Sequence, residues 1–199
     1  MKSERAYRQV ARAESAARTR RTIIDATVAL FTRERYEGLT LDAVAEAAGV
    51  TRQTVLRLFG SKEGLVSAAA REKMDEVLAE REAGPGDVEP AIDRLVASYE
   101  RIATLNWNLL MQEGQFEVVK QMLDGARALH RGWLERVFAA WLPASGRERQ
   151  RRVDLLFAAT DFYVFKLLRS DLGASRAATR ERMGELVRAT LASFSKEPT

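Results

Sequence analysis

With 199 residues the chain is long enough for one large domain or two small ones, and a hydrophobic share of 46% can fill a core. The absence of Cys excludes disulfides, thiolate metal sites, iron–sulfur clusters and cysteine nucleophiles, and fits a reducing cytosol; the single His, His130, excludes a multi-histidine metal site. The net charge is only +4 but unevenly placed: residues 1–65 hold twelve basic against eight acidic side chains, and 66–199 hold twenty of each, so the excess points to a polyanion met by the first third.

Residues 1–21 carry seven basic and two acidic side chains. Arg5, Arg8, Arg12, Arg18, Arg20 and Arg21 read either as an arm lying along phosphates or in a minor groove, or as a solvated tail. The segment lacks the apolar stretch of a signal peptide, and no run of 18 apolar residues follows, so the expectation is a cytoplasmic protein.

A first amphipathic helix is predicted from about Ala16 to Arg35, with Ile23, Thr27, Leu30 and Phe31 on one stripe. Thr40 suits an N-cap for a short second helix, Leu41 to Ala48. Gly49 suits a left-handed turn, and Thr51 caps a third helix to about Leu58. Ser61 caps a fourth, Lys62 to about Arg81. The run Ala83-Gly84-Pro85-Gly86-Asp87 ends it. Helices are then expected from Pro90 to about Met111, Gln115 to about Trp141 with a break near Gly125, Arg147 to about Ser170, and Ser175 to Phe194. The fold class is all-α.

Two late helices differ in pattern. Met183, Leu186, Val187, Thr190, Leu191 and Phe194 form one stripe, whereas Val153 to Phe165 is apolar nearly all round. Such a helix is buried on more than one face, either wholly inside its own domain or partly against a second copy of the chain.

The strongest functional signal lies between Thr40 and Phe59. Two helices of seven or eight residues joined at Gly49 have the layout of a helix-turn-helix, whose second helix enters the DNA major groove N-terminus first. Its first residues are Thr51, Arg52, Gln53 and Thr54. Arg suits guanine O6 and N7, Gln suits adenine N6 and N7, and a Thr methyl can touch the thymine methyl. Ala43, Val44, Ala47, Val50, Val55 and Phe59 are left to pack the unit.

Ile23-Ile24-Asp25-Ala26, Leu30-Phe31, Tyr36, Thr40-Leu41, Val44-Ala45, Ala48-Gly49-Val50-Thr51, Thr54, Phe59 and Ser61-Lys62-Glu63-Gly64-Leu65 together resemble the N-terminal signature of the tetracycline-repressor (TetR) family. The likeness covers Thr19 to Leu65. It implies an all-helical homodimer with a helix-turn-helix domain over 19–65, preceded here by the basic arm of residues 1–18, and a C-terminal ligand-binding and dimerization domain over 66–199. Carried over residue by residue, Thr40 and Lys62 stand at helix N-termini facing phosphate. Arg52, Gln53 and Thr54 read bases, and Thr51 is a cap that also touches backbone. Leu56 and Leu58 depart from the family pattern at positions that commonly reach phosphate, with Arg57, Arg20 and Arg21 as compensating groups. Arg35 stands where the family commonly ends its first helix with Gly.

All three Trp and most other aromatics lie after residue 98. Most such residues are plain core, but the resemblance implies that a subset lines a pocket between helices. The candidates are Trp107, Met111, Phe116, Met122, Trp133 and Phe162, with Asn108, Gln112 and Asp161 as polar contacts. Asp161, within an apolar run, needs a partner if buried; a basic residue across a dimer would equally serve. This lining favours an apolar or aromatic molecule, with a cation suited to the π faces.

His130 reads as structural and the pair Glu113 and Glu117 as a solvated face. No catalytic residue, metal or cofactor is assigned, since a helical enzyme has no nucleophile elbow or Gly-rich phosphate loop to rest on. The leading expectation is a DNA-binding transcriptional regulator, a repressor released by a ligand. The alternative is an architectural protein that binds nucleic acid without sequence preference.

Overall fold

The computed structural model describes residues 2–194, with side chains described from Val10 onward. The side chains of Arg5 and Arg8 in the expected arm lie outside the described residues. Among these residues the fold is all-α: α1 Lys2–Arg33, α2 Leu41–Ala47, α3 Arg52–Phe59, α4 Lys62–Glu80, α5 Val88–Leu110, α6 Glu117–Val137, α7 Arg147–Thr160, α8 Phe162–Lys166 and α9 Arg176–Phe194. A 3-10 turn spans Ala139–Trp141 and a π turn spans Leu167–Asp171.

Three departures from the sequence reading have local causes. The first helix starts at Lys2 rather than near Ala16. Residues 2–22 contain no Gly or Pro and are rich in Ala, Arg and Glu, which favour helix even where no apolar stripe announces one. No break occurs at Gly125; a Cβ there would meet only Met74 Cε at 3.9 Å and Sδ at 4.0 Å, so the glycine marks no turn. A break occurs instead at Asp161. Its backbone is extended, and its carboxylate accepts a hydrogen bond from the Tyr163 N–H at 2.8 Å, starting α8 as an N-cap. The Thr160 carbonyl so released accepts from the Tyr99 O–H at 3.1 Å.

The chain divides into two compact units. The first holds the residues up to Lys73 together with Thr104–Leu123. Its core joins Ile23 and Phe31 of α1, Tyr36 and Leu39 of the following turn, Val44, Ala45, Val55, Leu65 and Val66, and it is completed by Leu109, Val119 and Leu123. Each fully buried Ile, Val or Leu contributes about 1.5–3 kcal/mol. Residues 104–123 therefore belong to the body that holds α2 and α3.

The second unit holds Met74–Ala103 and the chain from Asp124 onward. Trp133, Leu134 and Phe138 from α6 and its end, Leu156 and Phe165, and Met183 and Val187 of α9 form its interior. Leu186, expected on the buried stripe of α9, is exposed. A polar network runs through this interior. His130 Nε2 and Thr160 Oγ1 are 2.9 Å apart. The Thr160 hydroxyl donates to the Leu156 carbonyl at 2.7 Å, so it accepts from a protonated Nε2, and Nδ1 has no hydrogen-bond partner among the described residues. The imidazole is stacked on Trp133, and Phe157 meets it edge-on.

His130 is thus held neutral. Burial, then the positive charges of Arg81 and Arg131, push its pKa down to about 3. The unfolded chain, near 6.5, takes up the proton first. The stability tied to the neutral ring is therefore present above pH 6.5 and lost as pH falls toward 3. In urea unfolding across that window, the His130→Leu variant is expected to lose less stability per pH unit than the parent; equal slopes would show that the ring is not held neutral.

Candidate nucleic-acid interface

The turn between α2 and α3 follows from its residues. Gly49 has φ +64°, the Val50 N–H donates to the Ala45 carbonyl at 2.9 Å, and the Gly49 N–H donates to Glu46 at 3.1 Å, which together close the end of α2. Thr40 and Thr51 are the caps expected: their hydroxyls accept from the Ala43 N–H at 3.1 Å and the Thr54 N–H at 3.2 Å. Ser61 does the same for α4 through the Gly64 N–H at 3.1 Å. A Cβ on Gly64 would lie 2.2 Å from the Phe59 carbonyl oxygen, so the close approach of α4 to the end of α3 requires glycine there.

α3 is split lengthwise. Val55 is fully buried, and Leu58 and Phe59 pack against the same core. At 100° per residue Gln53 and Arg57 lie about 160° from Val55 and Leu56 about 100°, while Arg52 lies only about 60° away, at the first turn of the helix. Arg52, Gln53 and Arg57 are exposed, and Leu56 is half-buried between them. Arg52 is drawn toward Asp42 of α2, Nε to Oδ1 3.6 Å, with both side chains largely in solvent. Thr54 is half-buried and its hydroxyl lies 3.0 Å from that of Thr51. Of the residues expected to pack, Ala47 is exposed and Ala45 takes its place.

The remaining basic candidates divide. Arg57 and Arg21 are exposed. Arg20 is half-buried, donates to Glu72 at 3.0 Å and lies over the Phe59 ring at 4.7 Å, so it braces α1 against α3 and α4. The Lys62 ammonium donates to the Tyr36 carbonyl and sits 4.1 Å from the centre of the Tyr36 ring. Its pKa is lowered, chiefly by burial. Lys62 thereby satisfies a carbonyl of the turn after α1.

Sequence reading did not find the support for this turn. The Tyr36 N–H donates to Gln112 Oε1 at 2.7 Å, Gln112 Nε2 donates to the Asn108 carbonyl at 2.8 Å, and Asn108 Nδ2 donates to the Thr32 carbonyl at 2.8 Å. The Tyr36 hydroxyl donates to Glu63 at 3.0 Å; burial and this bond raise its pKa to about 12. Asn108 and Gln112 were expected to face a ligand. They instead complete the backbone hydrogen bonding of the end of α1 and the turn beyond it. Only uncommitted amides in an otherwise apolar stretch hinted at this.

The other ligand candidates fall in both units. Trp107, Met111, Phe116 and Met122 belong to the first unit, where Phe116 and Met122 pack on its core and Met111 is exposed. Trp133, Phe162 and Asp161 belong to the second unit. Phe162 lies edge-on to Tyr99, and Asp161 caps α8 with its pKa raised, chiefly by burial. Trp133 lines a half-open cleft of about 240 Å³ with Leu78, Ala79, Glu82, Ala83, Arg136 and Val137. No group of three or more His, Asp or Glu among the described residues is placed to hold a metal.

Residues 23–69 match the family model described as bacterial regulatory proteins, tetR family. A helix-turn-helix-type transcriptional repressor of Mycobacterium tuberculosis is 29% identical over 139 residues, 67% of this chain and 65% of that relative. The chain thus matches just under two thirds of that relative's length. Among solved structures, a tetR-family transcriptional regulator from Streptomyces coelicolor is 19% identical with a TM-score of 0.65, covering 88% of this chain and 89% of its own. A transcriptional regulator from Saccharomonospora viridis in complex with choline is 14% identical with a TM-score of 0.63, covering 86% and 96%. These likenesses establish the fold.

Gln112→Leu leaves the buried Tyr36 N–H unpaired and is expected to cost about 1–3 kcal/mol in urea unfolding. Gln112→Glu, which keeps an acceptor, is expected to lose less; equal losses would remove the hydrogen bond as the cause.

Proposed function

We propose that this chain, a member of the TetR family of bacterial regulatory proteins, is a sequence-specific DNA-binding transcriptional repressor released from a palindromic operator by a small apolar or aromatic ligand. The observation that carries the reading is the division of α3, with Val55 buried, Gln53 and Arg57 held out on the opposite arc and Arg52 exposed at the first turn. That exposed surface enters the major groove. Arg52 pairs with guanine, Gln53 with adenine, and the half-buried Leu56 and Thr54 offer methyl groups to thymine. Arg57, Arg21, the hydroxyls of Thr40 and Thr51 and the start of α4 at Lys62 grip phosphate, and Arg20 supports the arrangement from behind. The residues from 19 to 65 carry the reading, and the chain after them carries ligand binding and dimerization. The family is regulatory, and no residue here is given a catalytic role.

The chain acts as a homodimer through its last helices. Leu155, Tyr163, Leu167, Leu172 and Leu186 are exposed apolar residues within the stretch from α7 to α9, which suits the second face expected of Val153 to Phe165. A two-fold dimer places its recognition helices about 34 Å apart, in successive major grooves. A ligand that prefers a conformation with another spacing releases the DNA, to the extent of its differential affinity. The mycobacterial relative is named a repressor and the S. viridis neighbour holds choline, which supports repression and ligand response. The protein works in the cytoplasm, where its operator is.

Selection from a random DNA pool is expected to return a two-fold symmetric consensus; recovery without any consensus would favour the architectural reading. Arg52→Ala or Gln53→Ala should then relax preference at one position of each half-site by about 1–3 kcal/mol, and uniform weakening on all sequences would remove their base-reading role. Sedimentation should show a dimer at micromolar concentration that Leu167→Glu dissociates, whereas a monomeric parent would overturn the interface.

A further inference from the structure

The second unit holds a buried positive charge with no ion pair among the described residues. Arg81 is 6% exposed, its Nε donates to Ser98 Oγ at 3.0 Å, and its guanidinium lies 4.6 Å over the Tyr99 ring. No carboxylate pairs with it among the described residues; neighbouring Glu80 is engaged by Arg101. Buried charges are normally paired, because removing an ion from water is costly, and a guanidinium cannot escape the cost by losing its proton. Tyr99 supplies only a quadrupole and a hydroxyl. The nearby His130 ring, stacked on Trp133, is neutral and adds an unpaired acceptor rather than a charge.

This cation is carried by a stretch that borders a cleft. The stretch that carries Arg81 supplies Leu78, Ala79, Glu82 and Ala83 to the cleft wall, and Trp133, which faces them, donates its indole N–H to the Arg81 carbonyl at 3.0 Å. Arg136 on the same wall is exposed and makes no ion pair among the described residues. Glu82, on the rim and in solvent, opposes these two cations. Its field is screened by water more strongly than that of the buried guanidinium is.

We propose that this cleft binds a small organic carboxylate, its apolar body against Leu78 and Ala79 over the buried Trp133 and Val137 and its carboxylate toward Arg136, with Arg81, on the stretch that forms the wall, adding positive potential. The volume of about 240 Å³ lies below the ~300 Å³ typical of sites for drug-sized ligands, which limits the occupant to a single-ring or short branched acid. The proposal rests on the ligand-responsive reading and narrows it: the apolar or aromatic effector carries a negative charge, and a cationic one is disfavoured.

The test uses the full chain without DNA, in a Trp107→Phe, Trp141→Phe background in which Trp133 is the remaining tryptophan. Benzoate, phenylacetate and isovalerate are titrated, with benzyl alcohol, benzylamine and phenylalanine as neutral, cationic and zwitterionic counterparts. At least one carboxylate is expected to change Trp133 fluorescence and raise Tm, binding at least tenfold more tightly than each counterpart. Arg136→Ala should weaken it at least tenfold. Arg81→Met, which keeps the apolar stem, should abolish the preference for benzoate over benzyl alcohol. The site is overturned if no carboxylate binds, if a counterpart binds equally well, or if Arg136→Ala leaves carboxylate affinity unchanged. Because no DNA is present, such a failure leaves the operator assay standing, and failure of operator binding leaves this result standing.

Discussion

Helices of seven and eight residues are too short to persist in water by their own hydrogen bonds, because the cost of nucleating a helix is recovered only over longer stretches. α2 and α3 therefore exist because Val44, Ala45 and Val55 are buried against Ile23, Phe31, Leu39 and Leu65. The reading surface is the solvent side of that packing. Burying one arc of α3 is what holds Gln53 and Arg57 out on the other, with Arg52 left in solvent at the helix start, so the geometry offered to DNA is a consequence of apolar burial.

The same constraint explains the involvement of residues 104–123. The turn from α1 to α2 carries carbonyl and N–H groups with no helical partner, and at its buried residues, Tyr36 and Leu39, water is largely excluded. Lys62 satisfies carbonyls from one side, and Asn108 and Gln112 satisfy Thr32 and Tyr36 from the other. Leu109, Val119 and Leu123 add the apolar cover. A segment far along the chain from the helix-turn-helix is thereby a structural part of it.

The second unit balances its interior differently. One buried ring is kept neutral and one buried guanidinium is left without a carboxylate, where a unit selected for stability alone would hold paired charges or apolar side chains. Arg81, Ser98, Tyr99, Trp133, His130 and Thr160 share their hydrogen bonds and ring contacts across four helical segments, so their arrangement is fixed jointly. The break at Asp161 belongs to this network, since an uninterrupted helix would use the Thr160 carbonyl that Tyr99 now engages.

Much of this was legible in the residues themselves. Period-3.6 apolar spacing, capping Thr and Ser residues and Gly49 specify the helix-turn-helix, because each acts through contacts within a few positions. The uneven charge and the exposed start of α3 pointed to DNA for the same local reason. Partnerships between distant residues carry no such local mark. The bracing role of Arg20, the inward turn of Lys62, the capture of Asn108 and Gln112 by the turn after α1, and the isolation of Arg81 depend on which segments meet. A free arginine and a buried, unpaired one are spelled alike in sequence; only packing in three dimensions decides how much water and what counter-charge each one keeps.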